Sequence, residues 1–146
     1  MSVDLRTTYL GLELRSPIVA SAAPHNGEPA TALQLERAGV GAIVLPSLFE
    51  EEILAEQFEL DRALDQGTEQ FAEALDYFPA VDPFLSAADR YITSLERVKA
   101  RVGVPVIASL NASTAGGWVD YARRIEAAGA DALELNLYHM TADPSR

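Results

Sequence analysis

Val104-Pro105-Val106-Ile107-Ala108-Ser109-Leu110, then Asn111-Ala112-Ser113-Thr114, then a helical pattern from Trp118 to Ala128, then Asp131-Ala132-Leu133-Glu134-Leu135-Asn136-Leu137: the stretch 104–138 reads as strand, helix, strand. The first run is apolar and rich in branched residues, the pattern of a strand buried on both faces. The polar run after it can cap a helix. Trp118, Tyr121, Ala122, Ile125 and Ala128 fall at helical spacing, and Gly129 stops the helix where a left-handed cap is cheapest. Two buried strands joined by one helix should lie parallel through a right-handed crossover. Ligands in such units gather at the carboxyl ends of the strands, here at Asn111 and Asn136.

Working outward, the same unit recurs. Leu35-Glu36-Arg37-Ala38-Gly39-Val40-Gly41-Ala42-Ile43-Val44-Leu45 echoes Ile125-Glu126-Ala127-Ala128-Gly129-Ala130-Asp131-Ala132-Leu133-Glu134-Leu135. Each is a helix end, a glycine stop, a tight turn and a strand. Upstream, Pro17 to Ala23 reads as the first core strand, ending in small residues that let a flat ligand or a helix approach closely. Pro24-His25-Asn26-Gly27 reads as a loop, and Pro29 opens a helix that runs to Gly39. Thr8-Tyr9-Leu10 and Leu12-Glu13-Leu14 predict a hairpin turning near Gly11. The fold class is therefore α/β, a parallel (β/α) sheet with an N-terminal β-hairpin. No G-x-G-x-x-G follows the first strand, which favours a TIM-barrel type over a doubly wound dinucleotide fold.

Between the second and third core strands lies a helical insertion at about 47–103. Glu50–Asp65 has helical apolar spacing, and its acidic start, Glu50-Glu51-Glu52, reads as a solvated first turn offsetting the helix dipole. The aromatic-rich stretch Phe71 to Pro79 reads as a lid or a patch folded on the rim. A further helix is expected from Asp82-Pro83 to about Arg101. A closed barrel of eight strands needs roughly 250 residues. The 146 residues hold four strand–helix beginnings, the first four strands of a (β/α)8 barrel in a single domain over 1–146.

Composition narrows the function classes. A formal charge of −11 argues against nucleic acid and anionic membranes as partners, since both call for a basic patch. Cys is absent, which removes disulfides, thiolate metal sites and a cysteine nucleophile from these residues. No apolar run reaches the roughly 18 residues of a membrane span, and a cytoplasmic protein acting on a small molecule is the expectation. His25 and His139 lie just past core strands but lack metal-type spacing, so no metal site is expected. Asn136, at a buried strand tip, has four hydrogen-bonding positions to fill. Ser109 and Asn111 are similar, and Glu134 shares Asn136's strand face.

Those residues carry a resemblance. Leu10-Gly11-Leu12-Glu13-Leu14-Arg15-Ser16-Pro17-Ile18 with Ala20-Ser21-Ala22, Ala38-Gly39-Val40-Gly41-Ala42, Pro105-Val106-Ile107-Ala108-Ser109 and above all Ala130-Asp131-Ala132-Leu133-Glu134-Leu135-Asn136-Leu137 resemble the N-terminal half of the dihydroorotate dehydrogenase family, FMN-dependent barrels of pyrimidine biosynthesis. The resemblance implies an FMN oxidoreductase, incomplete and inactive as this piece alone. It implies Ser21, Ala22 and Asn136 as flavin contacts, Asn136 also touching substrate; position at the strand tips adds Ser47 and Ser109 to the flavin contacts and Asn111 and His139 to the substrate contacts. The departures are Pro46 where the family has Lys, Ala74-Leu75-Asp76-Tyr77 in place of a substrate-reading segment, and Tyr138-His139-Met140-Thr141 in place of Ser-Cys-Pro-Asn. The catalytic base is not assigned.

Two rival readings stand beside this one. A non-catalytic half-barrel would pair with itself as a homodimer or with a complementary half, because two sheet edges are open. A Schiff-base aldolase would need a strand Lys, and Lys99 falls in a helix.

Overall fold

The computed structural model describes residues 3–67 and 86–137. The expected lid at 71–79, the helix start at Asp82-Pro83, and His139 lie outside the described residues. Alternation of side chains organises the sheet: β3 (Val19–Ala20), β4 (Ala42–Phe49), β5 (Val106–Asn111) and β6 (Ala132–Leu135) pair in parallel, in chain order. Ile43, Leu45, Val106, Ala108 and Leu110 point to one face. There they meet Ala32 of α1 (Pro29–Ala38), Ile53 of α2 (Glu50–Gly67), Leu95 and Val98 of α3 (Ala87–Lys99) and Ile125 of α4 (Ala115–Ala127). Ala42, Val44 and Ile107 point to the other face, where among the described residues Leu12 and Leu14 of the hairpin pack on them, beside Val19 and Ala132.

Helices on one face and strands in sequential order are what a partial TIM-barrel-like sheet requires. A doubly wound sheet would reverse its strand order and carry helices on both faces. No barrel closes among the described residues, where β3 and β6 are the open edges. No described helix is long and apolar enough to cross a membrane.

Local signals explain most boundaries. The hairpin pairs β1 (Thr7–Tyr9) with β2 (Leu12–Leu14) through a two-residue turn. Leu10 (φ 53°) and Gly11 (φ 77°) are both left-handed there, as the mirror-image turn of a tight hairpin needs. α1 ends at Gly39 (φ 101°), and Gly129 (φ 87°) follows α4 in the same conformation. Thr114 caps α4, accepting from Gly117 N at 2.9 Å, so this helix begins three residues before Trp118. α3 begins at a capping box of Ser86 and Asp89. Lys99 pairs with Asp131 at 2.6 Å, and the same carboxylate accepts from Val106 N at 2.7 Å. This lysine therefore serves the amino-terminal ends of the strands, away from any position where a Schiff base could form at the tips.

Two expectations are corrected. The first core strand pairs only over Val19–Ala20, not Pro17 to Ala23, because the chain turns away at Ser21. Glu50 is not part of a solvated helix start: it is 5% exposed. Its carboxylate accepts from Ser113 N (2.6 Å), Thr114 N (2.8 Å), Ser113 Oγ (3.1 Å) and Thr114 Oγ1 (2.5 Å), capping α4 from the end of the neighbouring strand. Burial alone would raise its pKa, but the bonds from Thr114 and Ser113 outweigh this and hold it below the usual carboxylate range. Glu56, also on α2, accepts from Ala87 N at 2.6 Å and pairs with Arg90. One helix thus closes the amino termini of two others.

A lowered carboxylate pKa contributes stability that is present above the unfolded value and lost as pH falls through the folded value. Glu50→Gln should therefore flatten the acid limb of the unfolding curve and cost about 2 kcal/mol at neutral pH, read by urea titration across pH 3 to 7. A Cβ on Gly117 would overlap the Glu50 carboxylate. Gly117→Ala should accordingly destabilise by about 1–3 kcal/mol, despite a helix-propensity gain of about 1 kcal/mol.

Candidate functional site at the strand tips

The site begins with one extra residue. Along β4 and β5, Val44 pairs with Ile107, but the next pair is Ser47 with Ser109, three residues on one strand against two on the other. This is a β-bulge, and Pro46 sits within it, at a position where a residue without an N–H is tolerated. The bulge reverses the alternation. Val44 faces the hairpin side of the sheet; without the extra residue Pro46 and Leu48 would follow it there. Instead Ser47 does, and Leu48 joins the helix-side core.

Two side chains supply partners that the ladder lacks here: one where β3 has ended beside β4, the other at the bulge between β4 and β5. Asn26 is buried in the 3-10 turn Pro24–Gly27 and donates from Nδ2 to Val44 O and to Ser21 O, both at 2.8 Å. Tyr91 of α3 donates its hydroxyl to Ser109 O at 3.2 Å and accepts from Ser109 N at 3.0 Å. Leu110 O already serves Asn136 N on the β6 side, so Ser109's backbone groups face β4, where the bulge interrupts the ladder. Burial pushes the Tyr91 phenol up to about 12, against the Ser109 N–H and with the charge of Glu134. Neither Asn26 nor Tyr91 is singled out by the sequence reading. The one local signal for Tyr91 is Pro46 in mid-strand, which favours a bulge and hence an outside partner.

With Ser47 turned inward, a cluster forms at the carboxyl ends of three strands. Ser47 Oγ lies 2.8 Å from Ser109 Oγ, Asn136 Nδ2 lies 3.0 Å from both hydroxyls, and Ser109 Oγ donates to Glu134 Oε1 at 2.8 Å. Asn111, buried, donates to Asn136 O at 3.3 Å and so holds the tip of β6. Ser21 and Ala22 are exposed at the end of β3, outside this hydrogen-bonded group, and His25 is exposed in the turn beyond. An open cleft of about 310 Å³ runs beside the cluster, with apolar walls from Leu10, Val19, Val44 and Ile107 and polar members Ser21 and Glu134. Larger grooves of about 700 and 540 Å³ lie along α1 and α4, away from the tips. The convergence of polar groups, rather than size, marks the cluster as the candidate site. No group of three or more metal-ligating side chains occurs among the described residues.

Comparison with known proteins adds one relation. The chain is 28% identical over 134 residues to a protein of Thermoplasma acidophilum described as the catalytic subunit of dihydroorotate dehydrogenase B (NAD(+)). The match covers 92% of this chain and 41% of that relative, so the chain spans less than half of the relative's length. No protein-family model matches.

Tyr91→Phe keeps the ring but strips the bulge of its hydroxyl partner. It should destabilise by about 1–3 kcal/mol, and in the unaltered protein the Tyr91 phenolate absorbance should not appear until pH approaches about 12.

Proposed function

We propose that this chain forms the N-terminal half, strands one to four over 1–146, of a flavin-dependent (β/α)8 oxidoreductase of dihydroorotate dehydrogenase type. The observation that carries the reading is the Ser47–Ser109–Asn136–Glu134 cluster at the strand tips, on a sheet face that no described helix covers. The similarity to a dihydroorotate dehydrogenase B catalytic subunit supports it. The residues fit the polar edge of a flat heterocycle: two hydroxyls, an amide and a carboxylate converge beside an apolar-walled cleft. FMN, when bound, would supply the hydride chemistry. Ser47, Ser109 and Asn136 would hold the ring, with the exposed Ser21–Ala22 backbone along its edge, and Asn136, Asn111 and His139 would face the substrate. The departure at Pro46 gives this site a bulge where the family has a lysine side chain.

A second reading has its own observation. β3 and β6 are open edges among the described residues, grooves run along both, and Leu135 and Leu137 are exposed. A half-barrel that assembles with itself or a complementary half would cover these surfaces. Sedimentation decides it: a dimer at micromolar concentration supports the reading, and a sharp monomer peak removes it.

The flavin proposal is tested by titrating the chain with FMN and following quenching of flavin fluorescence. Saturable quenching is expected, weakened roughly tenfold, about 1.4 kcal/mol, in Asn136→Ala and Ser109→Ala, with no turnover of dihydroorotate by this piece. An absence of quenching, or quenching that both variants leave unchanged, contradicts it.

A further inference from the structure

Asn26 is the chain's one asparagine followed by glycine, since Ala112 follows Asn111 and Leu137 follows Asn136. In an open chain this dipeptide loses its side-chain amide most readily, because a glycine leaves the backbone nitrogen unhindered and free to rotate. The fold nevertheless calls for both residues. The two amide protons of Asn26 are committed to Ser21 O and Val44 O, at 2.8 Å each, and the residue is buried. Gly27 makes room for α3: Ser94 Oγ donates to Gly27 O at 2.7 Å and would stand 3.1 Å from a Cβ there, with the Pro46 ring at 3.7 Å. Bonds from Asn26 N to Ala23 O (3.0 Å) and from Glu28 N to His25 O (3.1 Å) hold the intervening peptides in the 3-10 turn.

We propose that Asn26-Gly27 is a modification site gated by folding: the closed turn shields it, the opened turn deamidates, and the product cannot close again. In the opened turn Gly27 N attacks Asn26 Cγ. The new C–N bond forms, the Gly27 N–H proton passes to the side-chain nitrogen, and ammonia leaves. Water then adds to either carbonyl of the succinimide ring and opens it to aspartate or isoaspartate. Ring closure requires the side chain to leave both of its acceptors and the Asn26–Gly27 peptide to rotate, so the rate follows the population of the open turn. The aspartate product sets a charged carboxylate against the Ser21 and Val44 carbonyls, acceptors facing acceptors at a buried position with no proton between them. Isoaspartate adds a backbone methylene to a turn that Ser94 and Pro46 already fit closely. Opening thereby becomes permanent where the end of β3, β4 and α3 meet. This inference does not rest on the flavin reading.

The test incubates the full chain at mildly alkaline pH, folded in buffer and unfolded in concentrated urea, and follows the peptide carrying Asn26-Gly27 by mass and by isoaspartate content. In urea this peptide should convert ahead of those carrying Asn111 and Asn136, and in the folded chain at least roughly tenfold more slowly than in urea. Ser94→Ala, which releases Gly27 O, should raise the folded rate several-fold and leave the urea rate unchanged. Gly27→Ala, read in urea where no fold is at stake, should slow conversion at least roughly tenfold. Chain deamidated in urea and returned to buffer should unfold at a lower urea midpoint than unreacted chain treated alike. The proposal is overturned if folded and unfolded chains convert at one rate, if either variant leaves its rate unchanged, or if the deamidated chain refolds with the midpoint of the unreacted one.

Discussion

An extra residue in the middle of a buried parallel strand shifts every side chain beyond it to the opposite face and leaves backbone groups without ladder partners. β4 carries such a residue at Pro46, and the strand-tip site depends on it. Because of that one residue, Ser47 rather than Leu48 stands beside Ser109 and Asn136. The unpaired groups are buried, so each one left open would cost free energy comparable to a lost hydrogen bond. Tyr91 fills those of Ser109 at the bulge, and Asn26 serves Val44 O on the other edge of β4, where β3 has ended. The site is thus tied to the loop after β3 and to α3, neither of which contributes a group to the cluster itself.

A second constraint operates behind the sheet. α2 follows β4 directly, so the bulge and the helix start lie within a few residues of each other. Glu50, first residue of that helix, reaches Ser113 and Thr114, the residues that begin α4 after the tip of β5. Gly117 leaves the room for it. The carboxylate meets the positive end of a helix dipole and three or more donors, which explains how a charge persists at a buried position. The ends of β4 and β5 are consequently held from both faces: by hydroxyls on the uncovered side and by a capped helix on the other.

What the sequence makes legible follows the range of the interaction. Helix stops at Gly39 and Gly129, the hairpin around Gly11 and the parallel order of the strands are local or periodic signals, and they are readable in chain order. The placement of Ser109, Asn136 and Glu134 on one face near the tips follows from strand alternation alone. The inward turn of Ser47 does not follow, since simple alternation from Val44 sends it to the helices. Glu50 looks like one of three surface acids because its partners lie more than sixty residues away. Asn26 and Tyr91 look like an ordinary loop amide and an ordinary helix aromatic, because the groups they satisfy belong to other elements: Val44 O beside the end of β3, and Ser109 N and O at the bulge. The short first strand has the same origin: Asn26 draws Ser21 out of the ladder.

The bulge turns Ser47 and Ser109 toward each other on the face opposite the helices. The chain has no cysteine, so a Ser47→Cys/Ser109→Cys variant offers a clean test by free-thiol assay of the folded protein under mild oxidation. Residues paired on neighbouring strands and facing the same side lie within disulfide reach. The account predicts that both thiols disappear into one intramolecular disulfide, whereas Leu48→Cys/Ser109→Cys keeps both free. Rapid closure in the Leu48 variant, with free thiols in the Ser47 variant, would mean that β4 runs without the bulge and that Ser47 points to the helices.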